Sequence, residues 1–383
     1  MDVVRNVKLN YFKWYKALFR MVFRLSSFFR KQDKHKVIIS LYRSKELEGN
    51  LKFVSDELTK QMPDAKIHLI SAENKMNLRL LKEAISLSNA SYLILDDYYL
   101  PVYLAYPKMN LKVIQLWHAA GAFKKFGYSA VGTKFGADSR YLKIVPVHSN
   151  YTHVYVSSTK VVPYYAEAFH MHVKNIIPIG VPRTDLFQQE EKCASIVASI
   201  YQDFPMLKDK IVNILIAPTY RAKGPQGESA INTIELIIKV AASIDCNKRI
   251  IFKPHPYMNS NELDVLREYN NVVLASIYSI NEWMLLADAF ITDYSSSVFE
   301  FALLKKPIAH FIPDIKQYKE NRGFYQDIED ISDGVQLFDV KQVVKWINER
   351  ERNESFDTSR MVHYNFDSID HVSAKVVHHF LNN

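Results

Sequence analysis

Cysteine is almost missing from this chain of 383 residues: there are two, Cys193 and Cys246, far apart and with no Cys-x-x-Cys or Cys/His pairing. That excludes a disulfide frame and a structural zinc site of ordinary spacing, and it fits a reducing compartment. Long apolar runs are missing too, since none approaches the ~20 residues needed to span a bilayer. A signal peptide also fits poorly, because charges interrupt every apolar stretch near the N-terminus and no small-residue cleavage site follows. There is no Asp-x-Asp pair or other obvious metal cluster, no low-complexity tract and no short repeat. Nor does the body of the chain carry surplus charge. Residues 1–36 hold ten Lys and Arg against Asp2 and Asp33, which accounts for the whole formal net charge of +8. A nucleic-acid binder would carry its basic face on the folded body, with interleaved aromatics, so nucleic acid is not an expected partner.

What is present is a globular composition, 48% hydrophobic and 23% charged, long enough for two domains with full cores. The basic N-terminus reads as an amphipathic helix. Lys13, Lys16, Arg20 and Arg24 share one side, and Phe12, Trp14, Tyr15, Leu18, Phe19, Val22, Phe23 and Leu25 cover much of the rest. Such a segment either lies in a membrane interface, with Lys and Arg on anionic lipid, or packs on the protein's own domain. The first reading makes residues 1–35 a membrane-associating segment.

From Lys36 onward short β-rich runs alternate with helical patterns. Val37–Leu41, Ile67–Ile70, Tyr92–Leu95, Val113–Leu116, Ile144–Val147 and Ile176–Ile179 read as strands, with amphipathic helices at Asn50–Gln61 and Leu78–Leu87. After a polar helical connection, roughly Leu186 to Lys210, a second set follows at Val212–Ala217, Ile250–Phe252, Val272–Leu274, Ala289–Ile291 and Ile308–Phe311. Strict alternation means βαβ units and parallel sheets covered on both faces. The expected class is α/β: two doubly wound, Rossmann-like domains, 36–190 and 191–383, facing a cleft, the second closed by a helix at Val372 to Leu381. Ligands in such sheets sit beyond the carboxyl ends of the strands.

Three strand ends of the second half carry polar signatures. Ile291-Thr292-Asp293-Tyr294-Ser295-Ser296-Ser297 runs from a buried strand into a helix start, where amides without helical partners and serine hydroxyls suit a phosphate or pyrophosphate; the same residues also read as an ordinary Asp/Ser cap. Ala217-Pro218-Thr219-Tyr220-Arg221 brings a hydroxyl and a cation to a turn. Phe252-Lys253-Pro254-His255-Pro256 holds a histidine between two prolines that restrict its backbone, although a rigid turn with a surface histidine is the plainer reading. Together they would surround a diphosphate, with Ser295, Ser296, Ser297, Thr292, Arg221 and Lys253 as donor-phosphate ligands and His255 as a hydrogen-bond donor. In the first half, a strand ends on Trp117-His118 and enters Ala119-Ala120-Gly121, with Lys124 and Lys125 beyond. His118 is either structural or a base near its ordinary pKa. Asp97 and the turn Gly180-Val181-Pro182-Arg183-Thr184-Asp185 also fall at strand ends.

Taken in order, Trp117-His118 with its Ala-Ala-Gly turn, Gly180 to Asp185, Ala217 to Arg221, Lys253 to Pro256 and Thr292 to Ser296 resemble the CDP-glycerol glycerophosphotransferase family that builds wall teichoic acid. The resemblance covers about residues 36–380. It implies a GT-B architecture and a peripheral enzyme on the cytoplasmic face of the membrane. It makes His118 the general base, with His255, Ser295 and Ser296 on the donor phosphates. Arg183, Asp185, Asp97 and Lys124 would lie on the acceptor side or in the cleft, and Thr219, Asp293 and Glu300 near the cytidine or alditol. Many members have Trp-His-Gly-Thr where this chain has Trp117-His118-Ala119-Ala120, which bears on the subclass. The expected reaction transfers glycerol phosphate from CDP-glycerol to a hydroxyl of an undecaprenyl-diphosphate-linked saccharide, releases CMP, needs no metal or other cofactor, and is primase-like or short-chain. CDP-ribitol as donor, a nucleotide-sugar glycosyltransferase of the same fold, and a membrane-associated scaffold for anionic polymer are the alternatives.

Overall fold

The computed structural model describes residues 2–42, 44–105, 110–219 and 232–383. It divides into two compact units, Met1–Asp185 with Phe366–Asn383, and Leu186–Asn365. The first is built on β1 (Asp33–Leu41), β2 (Lys66–Ser71), β3 (Ala90–Leu95), β4 (Lys112–Gln115), β5 (His153–Tyr155) and β6 (Ile176–Ile177). These strands are all parallel, in the order β2-β1-β3-β4-β5-β6. The second holds β7 (Val212–Ile216), β8 (Lys248–Phe252), β9 (Val272–Leu274), β10 (Ala289–Thr292), β11 (Ile308–Phe311) and β12 (Val335–Leu337), again all parallel, in the order β12-β11-β10-β7-β8-β9. Strands buried on both faces read as continuous apolar runs, which is why β7 and β10 are buried at every position.

Each sheet reverses its winding once, between β1 and β3 in the first unit and between β7 and β10 in the second. A crevice opens beyond the carboxyl ends at such a point, because the connections on either side leave in opposite directions. The helix expected at Asn50–Gln61 runs from Gly49, and the one at Leu78–Leu87 is capped by Asn77, whose side chain accepts from the amides of Arg79 and Leu80.

Three expectations are corrected. The run Ile144–Val147 is no strand: Ile144 ends a short helix (Ser139–Ile144), and Pro146 brings no N–H to a ladder, so β5 forms later and His148-Ser149-Asn150 precede it. The boundary falls at Asp185/Leu186 rather than 190/191, and the closing helix (Val372–Asn382) belongs to the first unit. There Val372, Val376, Val377 and Phe380 pack with Val37, Ile39, Leu51, Val54 and Leu58. Asp185 accepts from the amides of Val372 (2.7 Å) and Ser373 (2.8 Å) and from the Ser373 hydroxyl, so it caps that helix. Gly180, at φ 130°, passes so close that an added Cβ would lie 2.8 Å from a Val372 methyl.

The third correction concerns the N-terminus. Residues 1–35 are no separate segment, because the helix Asp2–Phe29 docks on the first unit. Tyr15, Phe19 and Phe23, four residues apart, are buried, and Tyr11 and Tyr15 donate to the carbonyls of Met76 and Asn77. The same helix exposes a second apolar row at seven-residue intervals, Val7, Trp14, Met21 and Phe28, with Leu25 beside it. Among the described residues no helix is long and apolar enough to cross a membrane.

Asp185→Ala removes a buried acceptor and leaves two amides and a hydroxyl unsatisfied. It is expected to lower the unfolding free energy by about 3 kcal/mol, read from the urea midpoint.

Candidate functional site

In the first unit the site grows from the ends of β3 and β4, which are neighbours. After β4 the backbone turns through Trp117 at φ 53°, an unfavourable conformation for a bulky residue and the kind of strain that collects at functional turns. The turn is held from several sides. Gln115 accepts from the Trp117 amide (2.9 Å) and donates to the Asp97 carbonyl (3.0 Å). Asn50, buried at the start of the Gly49–Gln61 helix, donates to the Trp117 carbonyl (2.7 Å) and accepts from the Arg183 amide (3.0 Å). The Arg183 guanidinium donates to the His118 carbonyl (3.0 Å). The Ser157 hydroxyl takes the Gly121 amide (2.8 Å).

The His118 ring, 24% exposed, stacks on Trp117 with centroids 4.4 Å apart. Its Nδ1 lies 3.1 Å from the Asp96 carbonyl and 3.5 Å from the Asp97 carboxylate. A carbonyl only accepts, so Nδ1 carries the proton and Nε2 presents a lone pair. The buried Asp97 carboxylate then favours the imidazolium that forms when Nε2 takes a proton. Behind Trp117, His148 is packed edge-on at 5.4 Å, and its Nδ1 meets the Tyr151 hydroxyl at 3.1 Å. Burial pushes its pKa down to about 3, so it stays neutral.

In the second unit the three signatures come to three adjacent strands, β10, β7 and β8, whose neighbours lie about 4.8 Å apart. Asp293 and Thr219 clasp the winding reversal: the Thr219 amide and hydroxyl donate to the two oxygens of Asp293 at 2.8 and 2.7 Å. Thr292 is fully buried and donates to the Ala217 carbonyl. The Asp293 carbonyl faces Nδ1 of the buried His310 at 2.9 Å. After this clasp Ser295 and Ser296 are half-buried at the turn, and the Ser295 hydroxyl meets the buried Ser297 hydroxyl at 2.8 Å. The following helix, Ser297–Ala302, is six residues long, so anion attraction here rests on local amides and hydroxyls more than on a macrodipole. His255 is half-buried, and its Nδ1 accepts from the Tyr257 amide at 3.2 Å. Nε2 therefore carries the proton and is a donor.

Several residues expected as ligands have partners within the protein. Lys253 donates to the carbonyls of Ala275 (2.9 Å) and Tyr278 (2.7 Å), which ties the loop after β9. Glu300 is fully buried and accepts from Asn281, so it braces two helices instead of facing an alditol. Thr292, Thr219 and Asp293 hold the sheet edge, and Asp185 caps a helix. Lys124 sits half-buried in the loop after His118. Arg221 lies outside the described residues. Among the described residues no three His, Cys, Asp or Glu side chains gather in a metal-holding group. Sequence reading missed Asn50. The signal for Asn50 was its place one turn before Val54 and Leu58, on the inward face of its helix.

Residues 21–378 match the family described as CDP-glycerol:poly(glycerophosphate) glycerophosphotransferase. The chain belongs to this family. It is therefore an enzyme of the teichoic acid phosphotransferases, which act in wall teichoic acid synthesis. The teichoic acid ribitol-phosphate primase of Bacillus spizizenii is 37% identical over 94% of this chain and 93% of its own. The teichoic acid glycerol-phosphate primase of Bacillus subtilis is 28% identical over 76% and 73%. Among solved structures, the wall teichoic acid polymerase TagF superposes with a TM-score of 0.74 at 19% identity, covering 99% of this chain and 96% of that one. That likeness gives the fold, GT-B-like.

His148 makes stability depend on pH. The unfolded imidazole, with its ordinary pKa of about 6.5, binds a proton that the folded one refuses down to about 3, so stability is full above pH 6.5 and falls on acidification. Between pH 7.5 and 5 its share of the loss is about 2 kcal/mol. His148→Gln is expected to flatten the urea midpoint against pH by that amount.

Proposed function

We propose that the enzyme transfers ribitol phosphate from CDP-ribitol to a hydroxyl of a lipid-linked saccharide, releasing CMP, in place of the glycerol phosphate transfer read from the sequence motifs. The observation that carries the donor assignment is the 37% identity, nearly end to end, with a ribitol-phosphate primase, against 28% over three quarters of the chain with a glycerol-phosphate primase.

The two histidines divide the chemistry by tautomer. His118 Nε2 accepts the proton of the attacking hydroxyl, while the Asp96 carbonyl and the Asp97 carboxylate hold the proton on Nδ1. The hydroxyl oxygen bonds to the phosphorus that bears the ribitol, and the bond from that phosphorus to the oxygen bridging the two phosphates breaks. The electron pair leaves with CMP. His255 Nε2–H, together with Ser295 and Ser296, donates to the diphosphate oxygens as charge grows on the departing phosphate. No step calls for a metal in this scheme. Neither a nucleotide-sugar donor nor a scaffold role gains support from any observation above.

The peripheral position at the cytoplasmic face rests on the apolar row Val7, Trp14, Met21, Leu25 and Phe28, flanked by Lys and Arg on a helix whose other apolar face is already docked. A lipid-linked acceptor gives that row a purpose.

Purified protein with CDP-ribitol, a short-chain lipid-linked disaccharide acceptor and EDTA is expected to release CMP at a rate at least about tenfold above that with CDP-glycerol. His118→Ala should lose at least about a hundredfold in kcat. Preference for CDP-glycerol refutes the donor assignment, and loss of turnover in EDTA with rescue by magnesium refutes the metal-free scheme. For the membrane, Trp14→Ser with Phe28→Ser is expected to weaken flotation with phosphatidylglycerol liposomes while leaving the circular dichroism spectrum unchanged. Undiminished flotation overturns the assignment.

A further inference from the structure

The first unit carries a polar cavity that the reaction scheme above leaves unassigned. It has a volume of about 400 Å³ and lies between the N-terminal helix and the helix Ser139–Ile144. Four of its six lining residues are cations, Lys13, Lys16, Arg20 and Lys143, and none is acidic. Two of the four are fixed by backbone: Lys16 Nζ donates to the Ile144 carbonyl at 2.5 Å, and Arg20 donates to the carbonyls of Leu104 (3.0 Å) and Ala105 (3.3 Å). Lys13 and Lys143 stand exposed at the rim. Burial and the neighbouring Arg20 push Lys16 down to about 8, as expected for cations gathered in one place.

Two neighbours give this cavity a direction. On one side Ala17, exposed, separates the cations from Trp14 and Met21 of the outward apolar row. On the other side a line of half-buried aromatics leads to the base. Phe12 packs edge-on against Tyr141 with centroids 5.4 Å apart, and the Tyr141 hydroxyl lies 3.5 Å from that of Tyr98. The Tyr98 amide donates to Asp97, whose carboxylate is 3.5 Å from His118.

We propose that the Lys13–Lys16–Arg20–Lys143 cavity is the seat of the acceptor's diphosphate, with its prenyl chain leaving along Trp14 and Met21 and its sugar rings passing over Tyr141 and Tyr98 to His118. The assignment rests on the lipid-linked acceptor proposed above. Two adjacent phosphates bring two negative charges and a row of acceptor oxygens to these cations, whereas a phosphatidylglycerol headgroup brings one charge. Aromatic faces suit pyranose rings, whose C–H groups are apolar, and the line of rings ends where a hydroxyl must lose its proton. A diphosphate held in this cavity provides binding energy remote from the chemistry, which orients the acceptor without touching the bond that forms.

The test uses the full chain and farnesyl diphosphate as a soluble probe, titrated calorimetrically against wild type and against Lys13→Glu with Lys143→Glu, whose side chains are exposed and whose loss leaves the core intact. The double variant is expected to bind farnesyl diphosphate at least about tenfold more weakly, and to raise the KM for lipid-linked acceptor in proportion with little change in kcat or in the KM for CDP-ribitol. Lys13→Arg with Lys143→Arg should restore the affinity. An unchanged affinity in the Glu variant overturns the proposal. So does an equal loss of binding to phosphatidylglycerol vesicles, since that assigns the cations to the bilayer surface. If neither CDP-alditol gives CMP yet the calorimetric loss appears, the reaction proposed above fails and the diphosphate site stands.

Discussion

One backbone carbonyl decides what His118 is able to do. The Asp96 oxygen, 3.1 Å from Nδ1, fixes the proton on that nitrogen and leaves the lone pair on Nε2. His255 is set the opposite way by the Tyr257 amide, which donates to Nδ1 and leaves Nε2 as the donor. Two residues of one type thereby acquire complementary roles, acceptor and donor, each set by a backbone group. The arrangement depends on the parallel sheets, because only a strand that stops on cue brings a carbonyl or an amide to that place. In the first unit β3 ends at Leu95 and brings Asp96 and Asp97 beside the end of its neighbour β4, from which Trp117 and His118 emerge.

The support around His118 shows why a strained turn persists. Trp117 at φ 53° carries a cost that no single bond repays. Its amide, its carbonyl and its ring are each held: by Gln115, by Asn50, and by stacking on His118 and Phe126 with His148 and Phe169 edge-on. Asn50 is the hinge of this support, since its two amide atoms join the Trp117 carbonyl to the Arg183 amide. Arg183 then closes the ring on the His118 carbonyl. His148 serves by staying neutral, because a charged imidazole in that apolar packing would be unpaired.

The sequence made the two sheets and most of their strand ends legible, since fully buried parallel strands write themselves as apolar runs and the polar residues that end them stand out. It misread residues whose partners lie far along the chain. Asp185 looked like a site residue because a polar turn after a strand is where ligands bind, yet its partners are Val372 and Ser373. Glu300, four residues beyond the serine turn, points into the protein towards Asn281. Lys253 has a charge that suits phosphate and a geometry that suits two carbonyls. In each case local pattern gave the position and tertiary contact gave the partner. The closing helix was misassigned for the same reason: its apolar face is visible in sequence, and which sheet it covers is not.

The N-terminal helix illustrates a limit of amphipathic reading. A single moment supposes one apolar face, and the sequence offered a choice between membrane and own domain. The structure answers with two apolar faces and a cationic edge between them. Tyr15, Phe19 and Phe23 face inward at spacing four, and Val7, Trp14, Met21 and Phe28 face outward at spacing seven, so both repeats fit one helix. Docking removes the entropy that a free interfacial helix would lose on a bilayer, since the backbone is already ordered. It also fixes the cationic edge relative to the Ser139–Ile144 helix, through Lys16 on the Ile144 carbonyl, and through Tyr141 relative to Tyr98. A helix that only touched lipid would have no reason to hold its cations in register with the residues leading to His118.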